Sequence, residues 1–107
     1  MNWQQYTYRV AWHPEDGEFV ATVAEFPSLS WLAETSTEAF EGIQVLARDV
    51  VKDMEDAGEQ VPAPFSLRPY SGRIPIRTTP EVHRRLSIEA AEQNVSLSRY
   101  IKSKIGA

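Results

Sequence analysis

The last third of the chain predicts one short strand followed by two short helices. From Gly72 to Thr78, basic residues and a proline alternate with two isoleucines, a pattern typical of a strand with one apolar face. Thr79-Pro80-Glu81 then gives a helix start, and Ser96 begins another helix. A single strand has no ladder partner, and so short a segment buries little surface. This arm therefore requires a second copy of itself.

The simplest assembly pairs the strand with its symmetry mate as an antiparallel ribbon and packs four helices on the isoleucine face. The residues predicted to form this dimer core are Ile74, Ile76, Val82, Leu86, Tyr100 and Ile101. The other face of the ribbon presents Arg73, Pro75 and Arg77. Because a two-stranded ribbon fits the major groove of DNA, these three residues are the candidate base contacts.

The start of the third predicted helix, after a left-handed Asn94, adds candidate contacts to phosphate. A helix N-terminus offers free backbone amides and the positive end of the helix dipole. The candidate phosphate contacts are Ser96, Leu97, Ser98 and Lys102.

Charge divides the chain into two halves of opposite sign. Residues 1–65 hold three basic and twelve acidic residues, a net charge of −9. Residues 66–107 hold eight basic and three acidic residues, a net charge of +5. This split indicates that the second half binds a polyanion and that the first half avoids it or binds a basic partner.

The acidic half predicts a small antiparallel sheet with one helix. Residues 6–13 alternate along one strand, 14–17 form a turn, 19–26 return, and 30–34 form a short third strand. Thr35-Ser36-Thr37-Glu38 fits a capping box, so a helix with a broad apolar stripe begins there and ends at Gly58. The proline-rich stretch Val61–Pro64 is extended and stiff, which is typical of a linker.

The predicted fold is therefore α+β, in an acidic domain over residues 1–65, a linker over 66–71 and a dimerising arm over 72–107. The segment GRIPIRTTPEVHRRLSIEAAEQNVSLSRYIKSKI resembles the ribbon-helix-helix arm of HicB-type antitoxins, which share the Arc and MetJ fold. Upstream, YRVAWHPEDGEFVATVAEFPSLSWLAETSTEAFEGI is similar to the HicB N-terminal domain, a partial RNase H-like fold. The chain departs from the family at Pro75, which cannot hydrogen-bond a base and weakens readout at the ribbon centre.

The resemblance implies an antitoxin that binds a small basic, RNA-cleaving toxin of the HicA type and represses its own operon at a palindromic operator. The apolar candidates for toxin binding follow the second strand, and they are Phe26, Leu29, Trp31 and Leu32. Trp31 could equally belong to the buried face of the sheet. We expect a homodimer or a higher even-numbered oligomer, without membrane partners.

Two other functions remain open on the sequence. One is a solitary ribbon-helix-helix regulator without a toxin, and the other is a nuclease or hydrolase in residues 1–65. We expect no enzyme activity, metal or cofactor, because His13 and His83 stand apart and the carboxylates lack a partner suited to acid-base chemistry. The chain has no cysteine and no long apolar run, so we expect a cytoplasmic protein.

Overall fold

The chain folds as two compact units that divide between Tyr70 and Ser71. The structure, a computed structural model, describes residues 2–106. Strands occur in the first unit, whereas the regular elements of the second unit are two helices. The chain is thus α+β, in agreement with the predicted fold class.

A three-stranded antiparallel sheet forms the base of the first unit. Its strands are β1 (Tyr8–His13), β2 (Glu18–Val23) and β3 (Ser30–Ala33), in the spatial order β1-β2-β3. The hairpin turn between β1 and β2 closes through Gly17, whose φ of 63° suits glycine. The register pairs Val10 with Ala21 and Ala21 with Trp31, so these three side chains share one face of the sheet.

A long helix, α1 (Ser36–Asp56), covers that face. As the capping sequence predicts, the Thr35 hydroxyl accepts a hydrogen bond from the Glu38 amide at 3.1 Å. A turn after Asp56 ends the helix, and in it Gly58, with a φ of 72°, lets the Glu59 amide return to the Met54 carbonyl at 2.8 Å. Its buried stripe consists of Ala39, Ile43, Ala47 and Val51. These small and branched residues pack on Tyr6, Ala21 and Val23 to form the core.

The first two strands are shorter than predicted, because Glu25 turns back onto the chain. The Thr7 amide donates to the Glu25 carboxylate at 2.9 and 3.1 Å, and the Thr7 hydroxyl donates to it at 3.0 Å. Thr7 therefore lies just before β1, and its hydrogen bonds to Glu25 anchor the turn that follows β2.

Glu25 also fixes the stretch that the sequence suggested was a linker. Its carboxylate accepts a third donor, the Phe65 amide, at 3.0 Å. The Tyr6 hydroxyl donates to the Pro62 carbonyl at 2.8 Å, and Pro64 is fully buried. The interpretation of Val61–Pro64 as a linker is therefore wrong, because these residues pack against the sheet unit.

The residues after Phe65 also fold back locally. A 3₁₀ turn spans Phe65–Leu67, and the Arg68 guanidinium lies 3.9 Å from the Phe65 ring centroid while it donates to the Ala63 carbonyl at 2.8 and 3.0 Å. The Tyr70 hydroxyl donates to the Phe65 carbonyl at 2.9 Å. Residues 66–70, most of the predicted linker 66–71, thus lie within the first compact unit.

The second unit contains α2 (Pro80–Glu92) and α3 (Leu97–Lys104). The predicted start signals are confirmed in both helices. The Thr79 hydroxyl accepts from the Val82 amide at 3.3 Å, and the Ser96 hydroxyl accepts from the Arg99 amide at 3.1 Å. Asn94, as predicted, takes a left-handed conformation with a φ of 57° and reverses the chain between the helices.

We predict that Glu25→Gln lowers the free energy of unfolding by about 1–3 kcal/mol at neutral pH, because one of the inward-facing donors loses its acceptor. Burial alone raises the pKa of the Glu25 carboxyl, but hydrogen bonds from Phe65 and Thr7 outweigh it and lower the pKa below its ordinary 4.5. The folded chain thus binds fewer protons than the unfolded chain, and this stability is lost as the pH falls through the lowered pKa.

Urea unfolding followed by far-ultraviolet circular dichroism, at equal protein concentrations, measures the effect. The difference between the wild type and Glu25→Gln should shrink between neutral pH and roughly pH 3. Glu59→Gln, at an exposed position, is the matched control. Equal stability of Glu25→Gln and the wild type at neutral pH would contradict the assigned role of Glu25.

Candidate functional site

The helical hairpin of the second unit has a very small interior. Among its described residues, only Ala90 and Tyr100 are buried. The Tyr100 hydroxyl donates to the Glu89 carboxylate at 2.7 Å, a hydrogen bond that raises the pKa of Tyr100. This contact fixes α3 against α2, and the predicted dimer-core residue Tyr100 thus already packs within its own chain.

Of the other predicted dimer-core residues, all but Ile74 line an open apolar hollow. The hollow has a volume of about 680 Å³ and lies between α2, α3 and the segment that precedes α2. Its apolar lining includes Ile76, Val82, Leu86, Leu97 and Ile101. The structure therefore brings together most of the apolar residues that the sequence assigned to one surface, and leaves that surface open in a single chain.

Ile74 and Ile76 are the least covered of these residues. Their exposed fractions are 69% and 73%, although isoleucine is among the residue types most often buried in proteins. The predicted strand over Gly72–Thr78 does not form, since no residue between 71 and 79 belongs to a strand in the single chain. A strand is defined by ladder hydrogen bonds, and here the predicted partner strand belongs to another molecule.

The candidate base contacts all lie on this same segment. Arg73, Pro75 and Arg77 are exposed. The segment follows a turn in which Gly72 has a φ of 83° and the Arg73 amide donates to the Ser71 hydroxyl at 3.1 Å. Both guanidinium groups are accessible to a polyanion. The single chain alone does not define how the two groups would be arranged in a paired ribbon.

The candidate phosphate contacts lie at the start of α3. The Ser96 hydroxyl caps the helix, Leu97 is half-buried in the hollow, and Ser98 and Lys102 are exposed. Because α3 has two full turns, its first backbone amides carry the positive end of a helix dipole. The serine and lysine thus accompany an electropositive helix end that faces solvent.

The candidate toxin contacts divide into two pairs. Phe26 makes an edge-to-face contact with Tyr6 at 5.5 Å between ring centroids, and Leu29 packs beside it on the core. Trp31 and Leu32 are 44% and 45% exposed on β3. As neighbours in a strand they point to opposite faces, with Trp31 toward the helix-covered face.

Two residues with structural roles in the first unit, Glu25 and Gly42, are absent from the predicted sites. Glu25 carries no local signal, because its donor Phe65 is distant in sequence. Gly42 does carry one, since a glycine inside a helix weakens it and therefore calls for a packing explanation. In the structure, a Cβ at residue 42 would overlap the Trp31 indole.

The described residues contain neither a metal-binding cluster nor a membrane-spanning helix. Within residues 2–106, no group of three His, Asp or Glu side chains is arranged to hold a metal ion. His13 lies beside Asp16, with 3.7 Å between Nδ1 and Oδ2, and His83 is exposed on α2. No helix in this range is long and apolar enough to cross a bilayer.

A family match covers the last residues of the first unit and most of the second unit. Residues 57–105 match the HicB family. The match to HicB begins just after α1 and includes the Phe65–Tyr70 stretch, the exposed segment 72–78, α2 and all of α3. Searches of curated proteins and of solved structures give no significant match. The resemblance of residues 8–43 to the HicB N-terminal domain lies outside the matched range and stays a prediction.

Proposed function

We propose that this chain is a non-enzymatic antitoxin that binds a small basic HicA-like toxin and represses its own operon as a DNA-bound dimer. The observation that carries the proposal is the open apolar surface of the second unit, which falls inside the HicB match. An RNA-cleaving toxin and a palindromic operator are the partners that the HicB likeness suggests.

The dimer follows from the surface left uncovered by a single chain. Ile74 and Ile76 are exposed, and Ile76 lines a hollow of about 680 Å³. Burial of one isoleucine side chain stabilises an assembly by about 1.5–3 kcal/mol. A second copy offers the same surface, so twofold pairing covers both at once. The ribbon strands then supply each other's ladder partners, and their helices close over the isoleucines.

DNA binding follows from charge and from the twofold axis. Residues 66–107 carry a net charge of +5, and Arg73 and Arg77 are accessible. In a paired ribbon the apolar face points inward, which directs these arginines to the outer face. Four guanidinium groups then enter one major groove, while the capped start of each α3 holds a flanking phosphate. The two arms together thus read a symmetric site.

Toxin binding belongs to the acidic unit. Its charge of −9 over residues 1–65 attracts a basic, RNA-binding surface over distances of about 10 Å. The exposed Trp31 and Leu32 supply apolar area at the edge strand β3. The two partners, DNA and toxin, therefore bind different units of the chain.

We predict that Arg73→Ala and Arg77→Ala each weaken binding to the DNA upstream of the gene by about 1–3 kcal/mol and relax sequence preference. A gel shift titration measures both effects. Arg9→Ala removes the same charge from the sheet unit and is the matched control, with unchanged binding expected. Wild-type affinity should also fall steeply as salt rises, because phosphate contacts release counterions. Full affinity in both arm variants would rule out the ribbon as the reading element.

We predict that Ile76→Asp converts the wild-type dimer into a monomer, because it places a charge in the predicted apolar interface. Sedimentation equilibrium measures the mass. Ile88→Asp is the control, since Ile88 is also exposed on α2 but lies in a different groove, among charged side chains. A monomeric wild type, or a dimer that Ile76→Asp leaves intact, would refute the assembly.

Co-expression tests the toxin partner. The full chain should restore growth to cells that produce the small basic protein encoded by the neighbouring gene, and the two should co-purify. If both proteins accumulate but growth stays arrested, the antitoxin role is wrong, and operator binding alone would support a solitary repressor.

A further inference from the structure

The indole of Trp31 rests on the backbone of α1 at Gly42. The ring atoms Nε1, Cδ1 and Cε2 occupy the space that a Cβ at residue 42 would need. Glycine inside a helix costs about 1 kcal/mol relative to alanine. The chain therefore carries a helix-weakening residue at the point where the indole lies, and Trp31 nevertheless remains 44% exposed.

This ring forms part of a shallow groove between β3 and the first turns of α1. The groove has a volume of about 510 Å³. Besides Trp31, its walls include Val45 and four carboxylates, Glu18, Glu34, Glu38 and Glu41, and no lysine or arginine lines it. The surface thus combines an open aromatic ring with a concentrated negative charge.

The four carboxylates are not neutralised by an ion pair within residues 2–106. Glu38 is favoured by the positive end of α1, but that end does not account for Glu18, which lies on β2. Glu38 and Glu41 are three residues apart on one helix face and repel each other. A positive group in the groove would remove this repulsion.

We infer that the groove binds an arginine side chain presented by a basic protein partner. A guanidinium group stacks on an indole face and donates to carboxylates from its edges, which matches both features of the groove. Lysine, a compact point charge, uses the same groove less well. The inference rests on the proposed function in one respect, because it takes the toxin as the partner that carries the arginine.

The test follows the indole N–H signals of the full chain by ¹⁵N NMR during titration with acetyl-(Gly-Arg)₃-amide. The Trp31 signal should shift and saturate, whereas the Trp12 signal, from an exposed ring packed on Phe19, should change little. Trp31→Phe and Trp12→Phe assign the two signals. The lysine analogue should bind more weakly. Equal shifts at both rings, or none at Trp31, would overturn the inference.

Two variants separate a built groove from diffuse charge attraction. Gly42→Ala displaces the indole and should weaken peptide binding by about 3- to 10-fold. Glu41→Gln should also weaken it, and Glu59→Gln, the same change outside the groove, should not. Circular dichroism verifies that each variant is folded. Equal weakening by Glu41→Gln and Glu59→Gln, with no effect of Gly42→Ala, would overturn the inference.

Co-expression keeps the two proposals distinguishable. If the wild type restores growth and Trp31→Ala does not, the groove is the toxin contact. If Trp31→Ala restores growth fully, the groove inference fails and the antitoxin function stands. If the wild type itself fails, the proposed function is wrong, whereas the peptide titration still decides whether the groove binds arginine.

Discussion

The second unit leaves one constraint unsatisfied in the single chain, because Ile74 and Ile76 remain exposed to water. A single chain buries only Ala90 and Tyr100 among the described residues of this unit, too little apolar surface to hold a strand and two helices. In the proposed dimer, the pairing that covers the isoleucines also brings together the arginines of both copies. Assembly and formation of the DNA-reading surface are then one event, since neither exists in the separate chain.

The sheet unit is organised differently, because its core is complete within one chain. Ile43 and Val23 are fully buried between α1 and the sheet. The Glu25 carboxylate, held by donors from Thr7 and Phe65, joins the start of β1 to the stretch that leads out of the unit. The core of this unit therefore does not depend on a second copy of the chain.

Local signals explain which parts of the fold were predictable. The starts of α1, α2 and α3 depend on a capping residue and its neighbours, and the left-handed Asn94 is also set locally. Other features depend on contacts between residues that are separated in the sequence. They are the end of β2, the packed stretch around Phe65 and the packing of Trp31 against Gly42. Because local patterns carry no trace of those contacts, the predicted strands were too long and the linker was placed too early in the chain. Alternation in the sequence predicts which arm residues share a face, whereas the ribbon strand stays a prediction, because residues 72–78 form no strand in the single chain.

The positions of the three tryptophans have a practical consequence. Trp3, Trp12 and Trp31 all precede Tyr70, and residues 71–106 contain none. Intrinsic tryptophan fluorescence is therefore an optical probe of the sheet unit alone, while α2 and α3 contribute to the helical signal of the whole chain. Fluorescence and helicity recorded on one sample will coincide only if both units melt together, and their divergence would give the separate stability of each.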